Sequence, residues 1–408
     1  MLARFQSLFD SPIFVVFGQI YHVLSATAFL WGPALLVWLA AKLWLEYVQM
    51  SYRVKNFEFI MLEIKLPRII EKTPVAMELV LLSLYHPKTG NWWDRWWDGY
   101  VKAWFSLEIV SIEGAVKFFI RAPKKYKNII ESHIYAQYPD IEVHEVEDYI
   151  SLAPFIHEKN EWSLWGCTFS LTKPDPYPIK TYVDYGLDSS MTKEENKSDP
   201  ITSVIEFLGS IGRGQQIWMQ ILVQSTNRRF NTPGKFLGKH DWKDEGKALI
   251  KSIQSKYGGE FGIFKATKRE GEIVNAIERS LGKPAFDCGI RTLYIAKKEN
   301  YDSGNIAGLV SSFSQYSSQD LNGFKPSTLG FDYPWEDWND HRLNKQKRKF
   351  YDAFVRRSYF YPPYKMKPFV LNTEELATIF HFPGGVAETP TFSRIESRKG
   401  EPPANLPI

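Results

Sequence analysis

No Asp, Glu, Lys or Arg occurs between Ile13 and Ala41. A helix needs about 20 apolar residues to cross a hydrocarbon core, and a secretory h-region runs only about 7–15. The run therefore predicts a transmembrane helix over residues 24–45, with Trp31, Trp38 and Trp44 along it and Pro33 as a kink. Residues 13–23, which hold Gly18, Gln19 and His22, extend the span or lie at the interface. A buried helix of a soluble domain is the alternative. Arg4 stands alone before the run, whereas Lys42, Arg53 and Lys55 follow it closely. The positive-inside rule then gives a single-pass inner-membrane protein, N-terminus outside and C-terminal body cytoplasmic. Two distant cysteines, Cys167 and Cys288, fit no metal spacing and are expected as reduced core thiols.

The body after this segment alternates between strand and helix periodicities. Residues 57–67 alternate as a strand. Residues 71–86 start a helix at Pro74. Residues 105–123 give two strands joined at Glu113-Gly114, 124–139 a helix, and 141–149 another strand. The order β-α-β-β-α-β recurs as 162–174, 199–212, 215–226, 286–298, 302–318 and 323–335. A helical insertion lies between its two central strands, at 227–284. The expected fold class is α+β: an N-terminal transmembrane helix, then two ferredoxin-like domains and an irregular C-terminal arm. The predicted boundaries are 1–50 for the anchor, 51–150 and 151–337 for the two domains, and 338–408 for a basic helix and arm.

Catalytic signatures are missing from this pattern. There is no GxxxxGK[ST], GxSxG, HExxH or EF-hand loop. The glycine cluster 209–216 follows a helix, the wrong order for a phosphate loop. No cofactor, metal or catalytic residue is assigned, and the chain is not expected to be an enzyme by itself. Net charge is only +4, so any attraction for nucleic acid must be local. The segment 341–364 supplies it: Arg342, Lys345, Lys347, Arg348, Lys349, Arg356 and Arg357 stand against a single acid, Asp352. Phe350, Tyr351, Phe354, Tyr359, Phe360 and Tyr361 are interleaved. Cations attract phosphate and exposed rings stack on bases. The competing readings are a solvated helix whose rings pack on the second domain and a contact with anionic lipid. A second candidate is "NWWDRWWDGYVKAWF", residues 91–105, which holds five of the fourteen tryptophans. Trp92, Trp93, Trp96 and Trp97 are candidates for a membrane or subunit contact, or for folding back on their own sheet.

Four stretches carry a resemblance: "IEKTPVAME" (70–78), "WFSLEIVSIEGAVKFFIRAPKKY" (104–126), "FDCGIRTLYIAKKENY" (286–301) and "FVLNTEELATIFHFPGG" with "ESRKGEPPANLP" (369–407). Together the chain resembles the non-ATPase N-terminal portion of membrane-anchored DNA-translocating ATPases. These are the relatives of type IV secretion and conjugative coupling proteins in the HerA/FtsK-like group, familiar from candidate-phylum bacteria. The resemblance implies a membrane-anchored scaffold of a DNA-translocation machine, without ATPase activity of its own. An ATPase motor in trans would dock on 369–408, and DNA, membrane lipid and further copies of the chain are implied partners. The alternative is a membrane-tethered nucleic-acid-binding module that acts without a motor.

Overall fold

Near-continuous apolar runs such as those of residues 59–64, 217–223 and 290–296 give the strands two faces to cover, and the chain covers both. The computed structural model describes residues 25–67, 72–155, 161–188, 199–226, 229–230, 239–255, 267–329 and 340–384, with the isolated positions 16, 19, 20, 22, 23, 70 and 337. In chain order the elements are α1 (Ala28–Asn56), β1 (Phe59–Lys65), α2 (Pro74–Leu82), α3 (Trp92–Trp96), β2 (Phe105–Ile112), β3 (Ala115–Pro123), α4 (Lys127–Gln137), β4 (Glu142–Val146) and β5 (Trp162–Leu171). There follow α5 (Pro200–Gly209), β6 (Gln215–Ser225), β7 (Arg229–Phe230), β8 (Lys239–His240), α6 (Trp242–Ser255) and α7 (Lys268–Leu281). The last are β9 (Ala285–Lys297), α8 (Gly304–Ser312), β10 (Phe324–Thr328), α9 (His341–Val355), β11 (Phe369–Asn372) and α10 (Thr373–Ile379).

Contacts divide the chain into two units: residues up to Asn56 with Gly90–Val101, and all the rest. The second unit is built on one nine-stranded antiparallel sheet in the order β10-β5-β9-β6-β2-β3-β1-β4, with β11 also paired to β9. The expectation of two separate ferredoxin-like domains behind a transmembrane helix does not hold. The two β-α-β-β-α-β passes fuse edge to edge, because β2 pairs with β6 from Phe105↔Val223 to Ile112↔Gln216. Both strands are buried on both faces, and an unpaired buried edge would orphan a row of backbone polar groups. The outer edges are blunted instead. Strand β4 carries Glu142, His144 and Glu145, and β10 contains Pro326.

One face of the sheet, with Leu62, Leu107, Ile109, Ile221, Val223 and Ile290, is covered by α2, α4, α5, α8 and α10. Each fully buried Leu or Ile there contributes roughly 1.5–3 kcal/mol. The other face carries Val110, Phe119, Trp218 and Leu293, and Phe354 of α9 packs on it. Helices α6 and α7 occupy the insertion and pack on each other through Ile250, Ile253, Val274 and Ile277. Cys167 and Cys288 are both free and buried.

In the first unit the tryptophan segment packs on α1. Trp44 of α1 donates its indole N–H to the Trp96 carbonyl at 2.9 Å, and its ring meets the Trp97 ring edge-on at 5.8 Å. Tyr52 and Tyr100 pair in the same way at 5.6 Å. Asn91 and Asp94 close a capping box around α3. Gly99, at φ +67°, lies so close to α1 that an added Cβ would sit 2.2 Å from the Val48 carbonyl oxygen. The Gly99→Ala variant is therefore expected to release the segment, at a local cost of about 1–3 kcal/mol. Amide hydrogen exchange over 91–100 should accelerate by at least tenfold while strand amides of the sheet stay protected. Trp92, Trp93 and Trp97 are exposed and Trp96 is half-buried. Trp104 belongs to the sheet unit, buried against Phe57 and Phe59.

The membrane expectation is also corrected. Among the described residues, no helix is long and apolar enough to cross a membrane. The uncharged run is diluted by Trp31, Gly32, Pro33 and Trp38, and α1 continues through Lys42 and Glu46 to Arg53 and Lys55. The single-pass inner-membrane placement, with its inside and outside assignment, falls with the span. Most of the 13–23 extension lies outside the described residues.

Candidate nucleic-acid interface

Helix α9 is amphipathic, and its two faces have different chemistry. Arg342, Lys345, Lys349 and Arg356 follow i, i+3, i+7 and i+14 spacing, which puts them on one stripe. All four are exposed, as is Arg348 beside them; Lys347 is half-buried. The stripe runs roughly 21 Å along the helix axis at about 1.5 Å per residue. The only acid on the helix, Asp352, binds the Arg356 Nε at 2.8 Å and accepts from the Tyr364 hydroxyl. Asp337 closes the other end by accepting from the backbone N–H groups of Arg342 (3.0 Å) and Leu343 (2.6 Å). It thus satisfies two of the orphan donors that every helix start leaves.

The opposite face is built into the sheet. Phe354 is fully buried, with its ring 5.9 Å from Trp218 and the Arg291 guanidinium 5.2 Å above it. Phe350 lies over Gly166 of β5, where any Cβ would meet its ring at 2.4 Å. Tyr359 lies over Gly289 of β9 at 2.2 Å in the same sense. Two strand glycines therefore act as seats for two rings of this segment. Phe350, Tyr351, Tyr361 and Tyr364 are half-buried, and Phe354, Tyr359 and Phe360 are buried. Phe350, Phe354 and Tyr359 are thereby committed to packing.

Beneath the helix lies a polar row that crosses three strands. Glu108 of β2 is the register partner of Gln220 of β6, and Gln220 is the partner of Arg291 of β9. Gln220 donates to Glu108 at 2.9 Å and accepts from Arg291 Nε at 2.6 Å. Arg291 donates onward to the carbonyls of Ala353 (2.9 Å) and Ser358 (3.1 Å), and so holds the C-terminal end of α9. That end is the negative pole of the helix dipole. Arg357 donates two parallel bonds to the Glu108 carboxylate, each 3.0 Å, and also pairs with Asp148. Tyr149 and Ser106 complete the shell around Glu108. Arg357 takes φ +48°, a left-handed conformation that costs a non-glycine residue about 1–3 kcal/mol and that the ion pairs hold in place.

Arg357 consequently leaves the set of candidate nucleic-acid ligands: it is 1% exposed and committed to Glu108 and Asp148. Residue type alone does not separate it from its exposed neighbour Arg356. The buried row was missed in the sequence, although a signal existed. Glu108 interrupts "FSLEIVSI" and Arg291 interrupts "FDCGIRTLYIA", both otherwise core strands.

Burial alone would raise the Glu108 carboxyl, but the Arg357 guanidinium and its hydrogen bonds hold it at about 2. Burial pushes Arg291 down to about 9. A carboxyl lowered in this way contributes stability above its unfolded value near 4.5, and that contribution is lost as pH falls from there towards about 2.

The tail beyond α9 is not a free arm where it is described. All seven residues of α10 are buried, and Phe369–Asn372 pair with β9. Glu374 pairs with Lys283 at 3.0 Å and Arg279 at 3.3 Å, and Thr373 donates to Glu78 at 2.8 Å. Residues 369–382 are therefore core and offer no docking surface to a motor. The rest of the expected junction, 385–408, lies outside the described residues. Glu375 accepts from the backbone N–H groups of Asn372 and Ile179, each at 2.9 Å. Burial, with Glu374 and Asp175 nearby, nevertheless pushes its carboxyl up to about 8. A raised carboxyl stabilises the fold fully below its unfolded value near 4.5 and progressively less as pH rises through about 8. Urea unfolding from pH 5 to 8 should thus show falling stability in wild type. Glu375→Gln should flatten that slope, whatever it does to absolute stability.

Among the described residues, no group of His, Cys, Asp and Glu side chains could hold a metal ion. His381 places Nδ1 2.8 Å from the Ala377 carbonyl oxygen and Nε2 3.0 Å from the Asp199 carboxylate, so both ring nitrogens are engaged within the fold. A protein-family model described as "Domain of unknown function (DUF8128)" matches residues 66–394, which takes in α9 and leaves out α1. No curated protein matches the chain.

Proposed function

From the premise that the chain belongs to this family of the domain of unknown function DUF8128, we propose that it is a nucleic-acid-holding scaffold. Its sheet unit presents the α9 stripe to a phosphate backbone. The observation that carries this reading is the mounting of four cations, Arg342, Lys345, Lys349 and Arg356, on a helix whose other face is locked to the sheet. Long cationic side chains on a solvated helix lose their directional advantage when the helix itself moves. Here Arg291, Phe354 and the Gly166 seat fix the helix. A helix already fixed spares the backbone's ordering cost when its cations release condensed counterions from nucleic acid, and only the side chains have still to be ordered.

The function is holding, in support of a machine that supplies the chemistry. An ATPase motor in trans is the partner that the sequence resemblance implies. With 369–382 buried, such a motor would engage other surfaces. Lys345→Gln and Lys349→Gln test the reading one at a time. Each is expected to weaken binding of any oligonucleotide by several-fold at about 0.1 M salt and to lower the salt slope by about 1. Equal affinity for wild type and both variants, over a range of salt, would remove the stripe from the binding surface.

A further inference from the structure

Independently of the α9 stripe, we propose that the first unit seats in the headgroup layer of a lipid bilayer without crossing it. The tryptophans of this unit form one connected girdle. Trp44 meets Trp97 at 5.8 Å between ring centroids, Trp97 meets Trp93 at 5.3 Å, Trp93 meets Trp92 at 6.4 Å and Trp92 meets Trp96 at 6.1 Å. A structural core would hide such rings. Instead Trp92 is 65% exposed, Trp93 60% and Trp97 51%, with Trp44 and Tyr47 also exposed. Indole joins a broad apolar ring to a single N–H donor, which suits the boundary between hydrocarbon and water better than either phase alone.

Helix α1 changes character at the girdle. On the C-terminal side of Trp44 come Glu46, Arg53 and Lys55. On the N-terminal side Leu35, Leu36, Val37, Trp38 and Leu39 are all exposed. Successive helix residues turn by about 100°, so these five side chains point to every side of the axis. A second protein helix covers one side of such a surface, whereas a hydrocarbon phase covers all of it. Between Ala28 and Leu45 the only charged residue is Lys42. It is a cation, the sign that lipid phosphates attract, and its ammonium lies 5.8 Å from the Trp38 ring centroid. A long stem of this kind stays in an apolar layer while its head reaches the phosphates. From Leu35 to Trp44 the helix rises roughly 14 Å, close to half of a hydrocarbon core about 30 Å thick. The stretch is matched to one leaflet, in agreement with the lack of a membrane-crossing helix among the described residues.

The experiment uses the full chain and vesicles of phosphatidylcholine alone, whose zero net charge gives the α9 cations no anionic surface. Flotation measures partition, and tryptophan quenching by brominated phosphatidylcholine measures depth, with bromine placed near the headgroup end or near the methyl end of the acyl chains. The expected result is flotation that stays the same from about 0.1 to 0.5 M salt, because apolar contact is not screened. Quenching should be about twofold or more stronger with the shallow bromine. Trp92→Ser/Trp93→Ser and Leu36→Glu/Val37→Glu, all at exposed positions, should each weaken partition by about tenfold or more with the urea midpoint of the sheet unit unchanged. Neither flotation nor quenching in wild type would overturn the proposal without recourse to a variant. Stronger quenching by the deep bromine would overturn the headgroup seat. Binding that needs phosphatidylserine and disappears with salt would overturn it as well, and would move the lipid contact to cations elsewhere. Stable oligomers whose tryptophans stay unquenched when vesicles are added would make the girdle a contact with a second copy of the chain instead.

Discussion

Replacing Arg357 by alanine is expected to cost about 3–5 kcal/mol, among the largest single losses in the protein. The size follows from what is left behind. Glu108 is completely buried and accepts two bonds from Arg357, and no other cation takes its place at that distance among the contacts of the described residues. Without the guanidinium, Glu108 must either stay charged in a dry interior or take up a proton. The carboxyl should then leave its value near 2 and titrate far higher. Two readouts separate this mechanism from simple loss of packing. The acid limb of the stability curve should flatten in Arg357→Ala, because Glu108 no longer gains a proton on unfolding. The double variant Glu108→Gln/Arg357→Met should recover most of the loss, since a pair removed together leaves no orphan charge. Urea unfolding at pH 7 and at pH 4 measures both.

The second large effect is at the C-cap of α10. Phe380 is fully buried, its ring 5.8 Å from Phe118 and 6.4 Å from Phe382. Phe380→Ala is expected to cost about 3–5 kcal/mol through lost transfer energy and an unfilled cavity. The result matters for function as much as for stability. Were this segment a handle for a partner, truncating its ring would spare the fold and weaken an association. As core, it should lower the urea midpoint sharply and expose β11, so that hydrogen exchange at Val370 and Leu371 speeds up together with global unfolding.

Much of the strand and helix order could be read from periodicity. The stretches 162–174, 215–226 and 286–298 read as strands, and β5, β6 and β9 lie within or across them. The pairing between passes was not legible. Near-continuous apolar runs say that β2 and β6 have two covered faces, but not that their edges meet each other, so the sequence reads as two domains where there is one sheet. The N-terminal run shows a different limit. Absence of charge over Ile13–Ala41 resembles a spanning helix, while the dilution by Trp, Gly and Pro counts against it, and charge counting alone ignores that dilution. In the tail, Glu374 and Glu375 have the pattern of solvated first-turn acids, which also suits a helix buried whole with its own cations, Lys283 and Arg279, about 90 residues away in the chain. The basic stripe was visible as composition; which arginine faces inward was decided by Glu108 and Asp148, on strands and turns far away in sequence.

The central claim is that the α9 stripe, held in place from below, is what meets nucleic acid. The measurement that tests it most directly is the salt dependence of duplex binding for the full chain, wild type against the four-site glutamine variant of Arg342, Lys345, Lys349 and Arg356. Circular dichroism and the urea midpoint establish that the variant is folded. The account predicts a slope of log affinity on log salt that falls from about −3.6 to near zero, with the urea midpoint unchanged. A folded variant that keeps the wild-type slope would contradict it.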